Sequence, residues 1–416
     1  MVRFQLGYGN SVQEVEVPGA NYLTVMRPKT IRREGSEAEV VEKALLCPIA
    51  SSRLSQLARP GEKVAIITSD ITRPMPSYKV LPGVLKELRS AGVSLADVTV
   101  IFGLGCHRGQ SEAEMRRLVG DAVYDSVRCE DSAPDDCVYL GRTARGTPVE
   151  ISRNAASADR RVALGNIEYH YFAGYSGGAK ALLPGAASRA AIQANHSHMI
   201  ESAAAAGRLE GNPVREDIDE VLRFCPLDFI LNVVLDERKE IVRAVAGHPI
   251  KAHRAGCEFL DELCASPMEK RADIVIASQG GAPKDMNLYQ TQKALDNAKY
   301  AVREGGVIIL VGACGEGLGE RVFERWMLDS PSPESMIERI AGDFQLGGHK
   351  AAAIALTLRQ AEVYLVSDMA PALVEKIFLR PFATAREALD EALRRLGPRA
   401  KVLVMPYAGA TLPVIK

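Results

Sequence analysis

Short apolar runs, each closed by glycine or polar residues and followed by a helix-length segment, constrain this chain more than any other feature. The runs are Lys63-Val64-Ala65-Ile66-Ile67-Thr68, Asp97–Phe102, Arg161–Asn166, Asp228–Leu235, Asp273–Ala277, Val307–Val311, Ala361–Val366 and Lys401–Met405. Each is short enough for a buried strand. Helical segments are expected over Ser36–Leu46, Ser77–Ala91, Ser111–Val119, the Ala-rich stretch Ser188–Ala206 and Ile250–Cys264. Ser111 followed three residues later by Glu114 has the form of a capping box. Strands alternating with helices predict an α/β protein with largely parallel sheets flanked by helices.

A length of 416 residues suggests more than one domain. Ala265-Ser266-Pro267 breaks the last of those helices. The expected division is therefore 1–267 and 268–416, with the last strand able to return to the first domain. Charge is balanced, 51 Lys+Arg against 52 Asp+Glu, which advertises no basic face for nucleic acid. No apolar run approaches the roughly 18 residues of a membrane span, and Met1–Gln5 opens like a strand rather than a signal peptide. Eight cysteines without a C-x-x-C spacing fit reduced thiols, so a cytoplasmic enzyme is expected.

The ends of the first strands carry the chemistry. After 63–68 come Asp70, Thr72 and Arg73; after 97–102, His107 and Arg108; after 161–166, His170 and Lys180. Carboxyl ends of parallel strands converge on one crevice, so these groups are expected to meet. Arg73 before Pro74 is suited to holding a carboxylate in a bidentate fork. Between His170 and Lys180 runs Gly174-Tyr175-Ser176-Gly177-Gly178, where small residues allow backbone N–H groups to approach an anion. It is not a Walker A loop: Gly174 to Gly178 is one residue short, Ala179 separates Gly178 from Lys180, and Ala181 replaces the Ser/Thr. An ordinary tight turn and a Schiff-base lysine for pyridoxal phosphate stay open from this stretch alone. His196 lies on the Ala-rich helix, and a single imidazole makes no metal site without ligands from elsewhere.

A second polar cluster follows the 273–277 strand: Gly280–Asp285, then a helix starting near Asn287. Gln290 and Lys293 share one face of its first turns, where the helix dipole favours anions. Two such clusters in two domains predict an active site in the cleft between them.

Taken together, Ser69–Pro74, Gly105–Arg108, His170 with Phe172–Lys180, His196 and Gly280–Ala298 resemble the nickel-dependent lactate racemase family in order and spacing. The resemblance implies a two-domain α/β isomerase that inverts C2 of a 2-hydroxy acid. It further implies nickel and a pyridinium-3,5-bisthiocarboxylic acid mononucleotide, the nickel-pincer nucleotide, joined to Lys180 as a thioamide. Nickel would be held by two sulfurs and a ring carbon of that group, with His196 as protein ligand. Asp70, Thr72, Ser176, Gly177 and Gly178 would lie about the cofactor. Arg73, Gln290 and Lys293 would hold the substrate carboxylate.

A C2–H is a very poor acid, so reversible hydride transfer through a 2-keto acid avoids a carbanion. The hydroxyl proton must be handled in two orientations, which gives His107 and His170 their roles as the two bases, with Asp70 orienting a neighbour. Implied partners are the hydroxy-acid substrate and the cofactor-making enzymes, with no nucleic acid or membrane. At His349–Ile354 this chain has alanines where lactate-specific relatives carry a bulky aromatic, so malate, an aryl-lactate or an aldonic acid joins lactate as a candidate substrate. A Schiff-base lyase or dehydratase using Lys180, and a non-catalytic hydroxy-acid-binding protein, are the alternatives.

Overall fold

The computed structural model describes residues 1–29, 35–236 and 238–415. They form two compact units. One, the terminal unit, combines Met1–Lys29 with Leu263–Lys416; the other, the central unit, is Thr30–Glu262.

The chain opens on an antiparallel hairpin, β1 (Val2–Tyr8) and β2 (Ser11–Val17). Its period-2 pattern buries Phe4, Leu6, Tyr8, Val15 and Val17, while Arg3 and Gln5 meet Glu16 and Glu14 on the outer face. A short strand, β3 (Tyr22–Val25), follows.

The central unit begins with α1 (Glu37–Leu46), started by a Ser36/Glu39 capping box. Then come β4 (Val64–Ser69), α2 (Ser77–Ser90), β5 (Val98–Gly103), α3 (Glu112–Val119) and β6 (Arg128–Asp131). The Ser111/Glu114 capping box is formed as expected. A hairpin, β7 (Cys137–Arg142) with β8 (Pro148–Ser152), precedes β9 (Arg160–Asn166) and a two-residue hairpin, β10 (Tyr169–His170) with β11 (Gly174–Tyr175). Next are α4 (Arg189–Ser197), α5 (Pro213–Glu220), β12 (Phe229–Leu235), β13 (Ile241–Gly247) and α6 (Lys251–Cys264).

The six-stranded sheet has the order β13-β12-β9-β4-β5-β6, parallel except for β13. From β4 the chain moves outward one way through β5 and β6, then returns to β9 and moves the other way. The switch point therefore lies between β4 and β9, where ligands enter open α/β sheets. Val80, Leu81, Val84 and Leu88 of α2 pack against the sheet core of Val64, Ile66, Val100 and Phe102. Each such fully buried aliphatic contributes about 1.5–3 kcal/mol.

In the terminal unit β14 (Ala265–Met268) pairs with β20 (Leu412–Ile415), both at its margin. The main sheet joins β15 (Ala272–Ser278), β16 (Val302–Val311), β17 (Ala361–Val366), β18 (Arg380–Phe382) and β19 (Val402–Met405) in the order β18-β17-β16-β15-β19-β3, all parallel. The helices α7 (Leu288–Ala301), α8 (Gly348–Leu358) and α9 (Ala385–Leu396) connect them.

The α/β architecture is as expected, but the units divide differently from 1–267 and 268–416. Parallel pairing of β3 with β19 draws the first 29 residues into the C-terminal part. β19, the strand expected to be able to return to the first domain, pairs with residues 22–25 of that expected domain, within the terminal sheet. Ala265-Ser266-Pro267 does end α6, as an edge strand that tolerates proline. The Ala-rich helix is shorter than 188–206. It ends at Ser197, because the chain must turn back for Gly207 N–H to reach the carbonyl of Gly174 at 3.0 Å. No helix among the described residues is long and apolar enough to cross a membrane.

Candidate active site

Register brings the first two polar clusters together. Ser69 at the end of β4 lies opposite Gly103 at the end of β5, so the loops carrying Asp70 and His107 start side by side. The buried Asp70 carboxylate meets His107 Nδ1 at 2.5 Å and takes the Thr72 hydroxyl at 2.7 Å. Burial alone would raise the Asp70 pKa; hydrogen bonds from His107 and Thr72, with the charges of His107 and Arg73, overcome it and hold the group below its ordinary value. Asp70 is thus ionised, and its oxygen accepts a proton-bearing His107 Nδ1.

β9, the other neighbour of β4, feeds the third cluster. His170 sits in the small hairpin opposite Gly174, and its Nδ1 accepts the Ala173 N–H at 3.2 Å. Gly174 has a φ of +76°, and a Cβ there would stand 2.0 Å from the Arg208 carbonyl oxygen, so only glycine fits. Phe172 presents its ring edge-on to His170 at 4.5 Å and to His196 at 4.9 Å, which places both imidazoles around one aromatic ring.

Beyond the hairpin the chain runs through Ser176–Gly178 to Lys180. Burial, then the positive charges of Arg215 and Arg73, press the Lys180 pKa well below its ordinary value, with Glu168 opposing. Lys180 is therefore biased towards the neutral, nucleophilic amine. The loop's own polar groups turn inward. The Ser176 hydroxyl bonds the Asn166 carbonyl at 2.7 Å, and Gly178 N–H donates to Asn232 Oδ1 at 2.8 Å. A Cβ on Gly178 would lie 2.9 Å from the His253 ring. These residues shape the approach to Lys180, and those donors are not directed at an anion. Gly105 N–H bonds the Gly185 carbonyl at 3.0 Å, tying the His107 loop to the turn after Lys180.

His196 lies near the end of α4, buried, with Nδ1 at 3.0 Å from Asn195 Oδ1. In the terminal unit, Asn287 caps α7 through the Gln290 N–H, and Gln290 and the exposed Lys293 follow in the first turns. Asp285 fastens the loop before α7 by accepting the N–H groups of Gly9 and Ala313. Ala351, Ala352 and Ala353 are buried on α8, after His349, whose ring stacks on Phe344.

Sequence reasoning missed the residues that hold these groups in place. Arg215, wholly buried in α5, donates to the carbonyls of Ala173 and Tyr175. Asn212 caps the same helix and also donates to the Phe172 carbonyl at 2.9 Å. Asp261 on α6 accepts both hydroxyls of Tyr169 and Tyr175, clamping the His170 hairpin. His253 holds the Ser176 carbonyl at 2.8 Å. Of these, only Asn212-Pro213 had a readable signal, a capping Asn before proline at the first helical position.

Comparison with known proteins shows the family. The lactate racemase N-terminal domain family model matches residues 8–207, and the lactate racemase C-terminal domain model matches 268–412. The chain is 37% identical to the lactate racemase of Thermoanaerobacterium thermosaccharolyticum over 98% of both chains. It is 35% identical to that of Lactiplantibacillus plantarum, again over 98% of both. The fold matches the structure of the lactate racemase apoprotein from Thermoanaerobacterium thermosaccharolyticum with a TM-score of 0.88, 35% identity and full coverage of both chains. A Thermotoga maritima protein, 16% identical with a TM-score of 0.60 over 91% of this chain and 98% of its own, shares the fold alone. The chain belongs to the lactate racemase family and is an isomerase of the racemase kind.

Proposed function

We propose that this enzyme racemises lactate, inverting C2 by reversible hydride transfer through a 2-keto acid, with nickel and the pyridinium nucleotide as its cofactor. The observation that carries the reading is Lys180: a lysine whose ammonium form is disfavoured by burial, Arg215 and Arg73, set at the switch-point end of the sheet. A neutral amine is what an amide-type link to an activated thioacid requires. His196 fits as well, since an imidazole held at Nδ1 by Asn195 would ligate a metal through Nε2. Lys180 would carry the group and His196 would ligate its nickel.

When bound, the cofactor supplies the hydride acceptor. The chain's own residues do the rest. His107 and His170 take and return the hydroxyl proton, and Asp70 with Thr72 orients His107. Arg73 is assigned to the substrate carboxylate. Ser176, Gly177 and Gly178 set the course of the chain into Lys180.

The test uses protein co-produced with the cofactor-making enzymes. A sulfur-containing nucleotide on the Lys180 peptide, nickel equimolar with the chain and interconversion of D- and L-lactate are expected. Bare Lys180 without nickel overturns the cofactor, and a borohydride-reducible adduct there points to the Schiff-base alternative. Turnover of malate or an aryl-lactate in preference to lactate overturns the substrate assignment.

A further inference from the structure

Resting on the reading of His196 as a metal ligand, we propose that Asn195 and Asp217 form a relay that fixes the tautomer and ring orientation of His196. The argument begins at Asp217, wholly buried on α5. Its carboxylate accepts the hydroxyls of Thr143 and Thr147, at the turn joining β7 and β8, and Asn195 Nδ2 at 2.8 Å. Asn195 Nδ2 also donates to the Val214 carbonyl at 3.1 Å. Both hydrogens of the amide nitrogen thus point at oxygen acceptors.

Turning the amide over would set Oδ1 against a carboxylate and a carbonyl, two repulsive contacts in a site without solvent. The amide orientation is therefore determined, and Oδ1 must face His196 Nδ1, at 3.0 Å. An amide oxygen only accepts, so Nδ1 carries the proton and Nε2 carries the lone pair. Asn195 is a positioning residue: a fixed dipole next to the imidazole on the same helix, itself fixed by a carboxylate from the next helix. Metal-bound imidazoles commonly have their second nitrogen held by an acceptor, and loss of that partner costs about 10–100-fold in affinity or activity.

Histidine-labelled full-length apoprotein, studied by 15N NMR at mildly alkaline pH, tests this without metal. In the wild type, His196 is expected as the Nδ1–H tautomer. In Asn195→Ala its two nitrogens should shift towards an averaged mixture, and nickel retention after cofactor loading should fall about 10–100-fold. A purely structural staple between the two helices would lower stability in Asn195→Ala and leave the tautomer alone. A wild-type His196 protonated at Nε2 overturns the proposal even if no variant folds, and so does an Asn195→Ala spectrum unchanged at His196. The ligand reading is tested separately: a loaded wild-type protein whose nickel is not on His196 defeats that reading and leaves the tautomer result standing.

Discussion

His107 offers its Nδ1 to a carboxylate at 2.5 Å, whereas His170 receives a backbone N–H on its Nδ1 at 3.2 Å. Two residues of the same kind are thereby made unequal. Neutral His107 keeps its proton on Nδ1 and presents a lone pair at Nε2; neutral His170 uses its Nδ1 lone pair and presents N–H at Nε2. Under the proposed function, one imidazole rests ready to accept the hydroxyl proton while the other rests as a donor. For His170 to act as base at Nε2, its Nδ1 must take the proton and release Ala173. The supports differ in origin too. His107 is oriented by a residue on the neighbouring strand's loop. His170 is held by the backbone of its own hairpin, clamped from a distance by Asp261 and Arg215.

The largest effect expected comes from removing either imidazole. His107→Ala and His170→Ala should each lower kcat for racemisation by about 10²–10⁴-fold, measured on fully loaded enzyme. Wild-type turnover in either variant removes that residue from the proton-handling role. A smaller effect separates the two: Asp70→Asn should cost about 10–100-fold, the size of losing a partner that orients a working imidazole. The loss should fall on kcat of the fully loaded enzyme. An unchanged kcat means that the carboxylate contact has no bearing on His107 chemistry.

The smallest effect concerns stability. Asp70, which touches His107, and Asp261, which clamps the His170 hairpin through Tyr169 and Tyr175, are shifted in opposite directions. Asp70 lies below its ordinary value of 3.8, and its contribution is present above that pH and lost as pH falls through the lowered value. Burial raises Asp261, against the hydrogen bonds from Tyr169 and Tyr175. Its contribution is intact below 3.8 and lost as pH rises through the raised value. In thermal melts of the apoprotein, Asp70→Asn should therefore be most damaging near neutrality and converge on wild type in acid. Relative to wild type, Asp261→Asn should fare best near neutrality and worst in acid. Parallel curves for the two variants contradict the assignment of opposite shifts.

These contrasts set out what a sequence can carry. The strand ends were legible because apolar runs stop at Ser69, Gly103 and Asn166, and the polar residues that follow have nowhere to go but the ends of parallel strands. Asp70, His107, His170 and Lys180 were found that way. Asn195, Arg215, His253 and Asp261 were not, because a polar residue on a helix reads as solvated until the partner helix or loop is known. Arg215 is fully buried, and nothing beside it in the chain says so. The length of α4 and the membership of residues 1–29 failed for a related reason. Both depend on pairing with distant residues, Gly174 for one and β19 for the other.

The pairing of β3 with β19 also bears on how the protein is made. β3 is an edge strand whose neighbour in the sheet, β19, is synthesised long after it. During translation β3 must wait for β19, while the central unit between them has all its strands available much earlier. Closing so large a loop is a non-local step that small local contacts do not reward in advance. Vectorial folding therefore favours completion of the Lys180 and histidine loops first, with the terminal sheet sealed when β19 arrives.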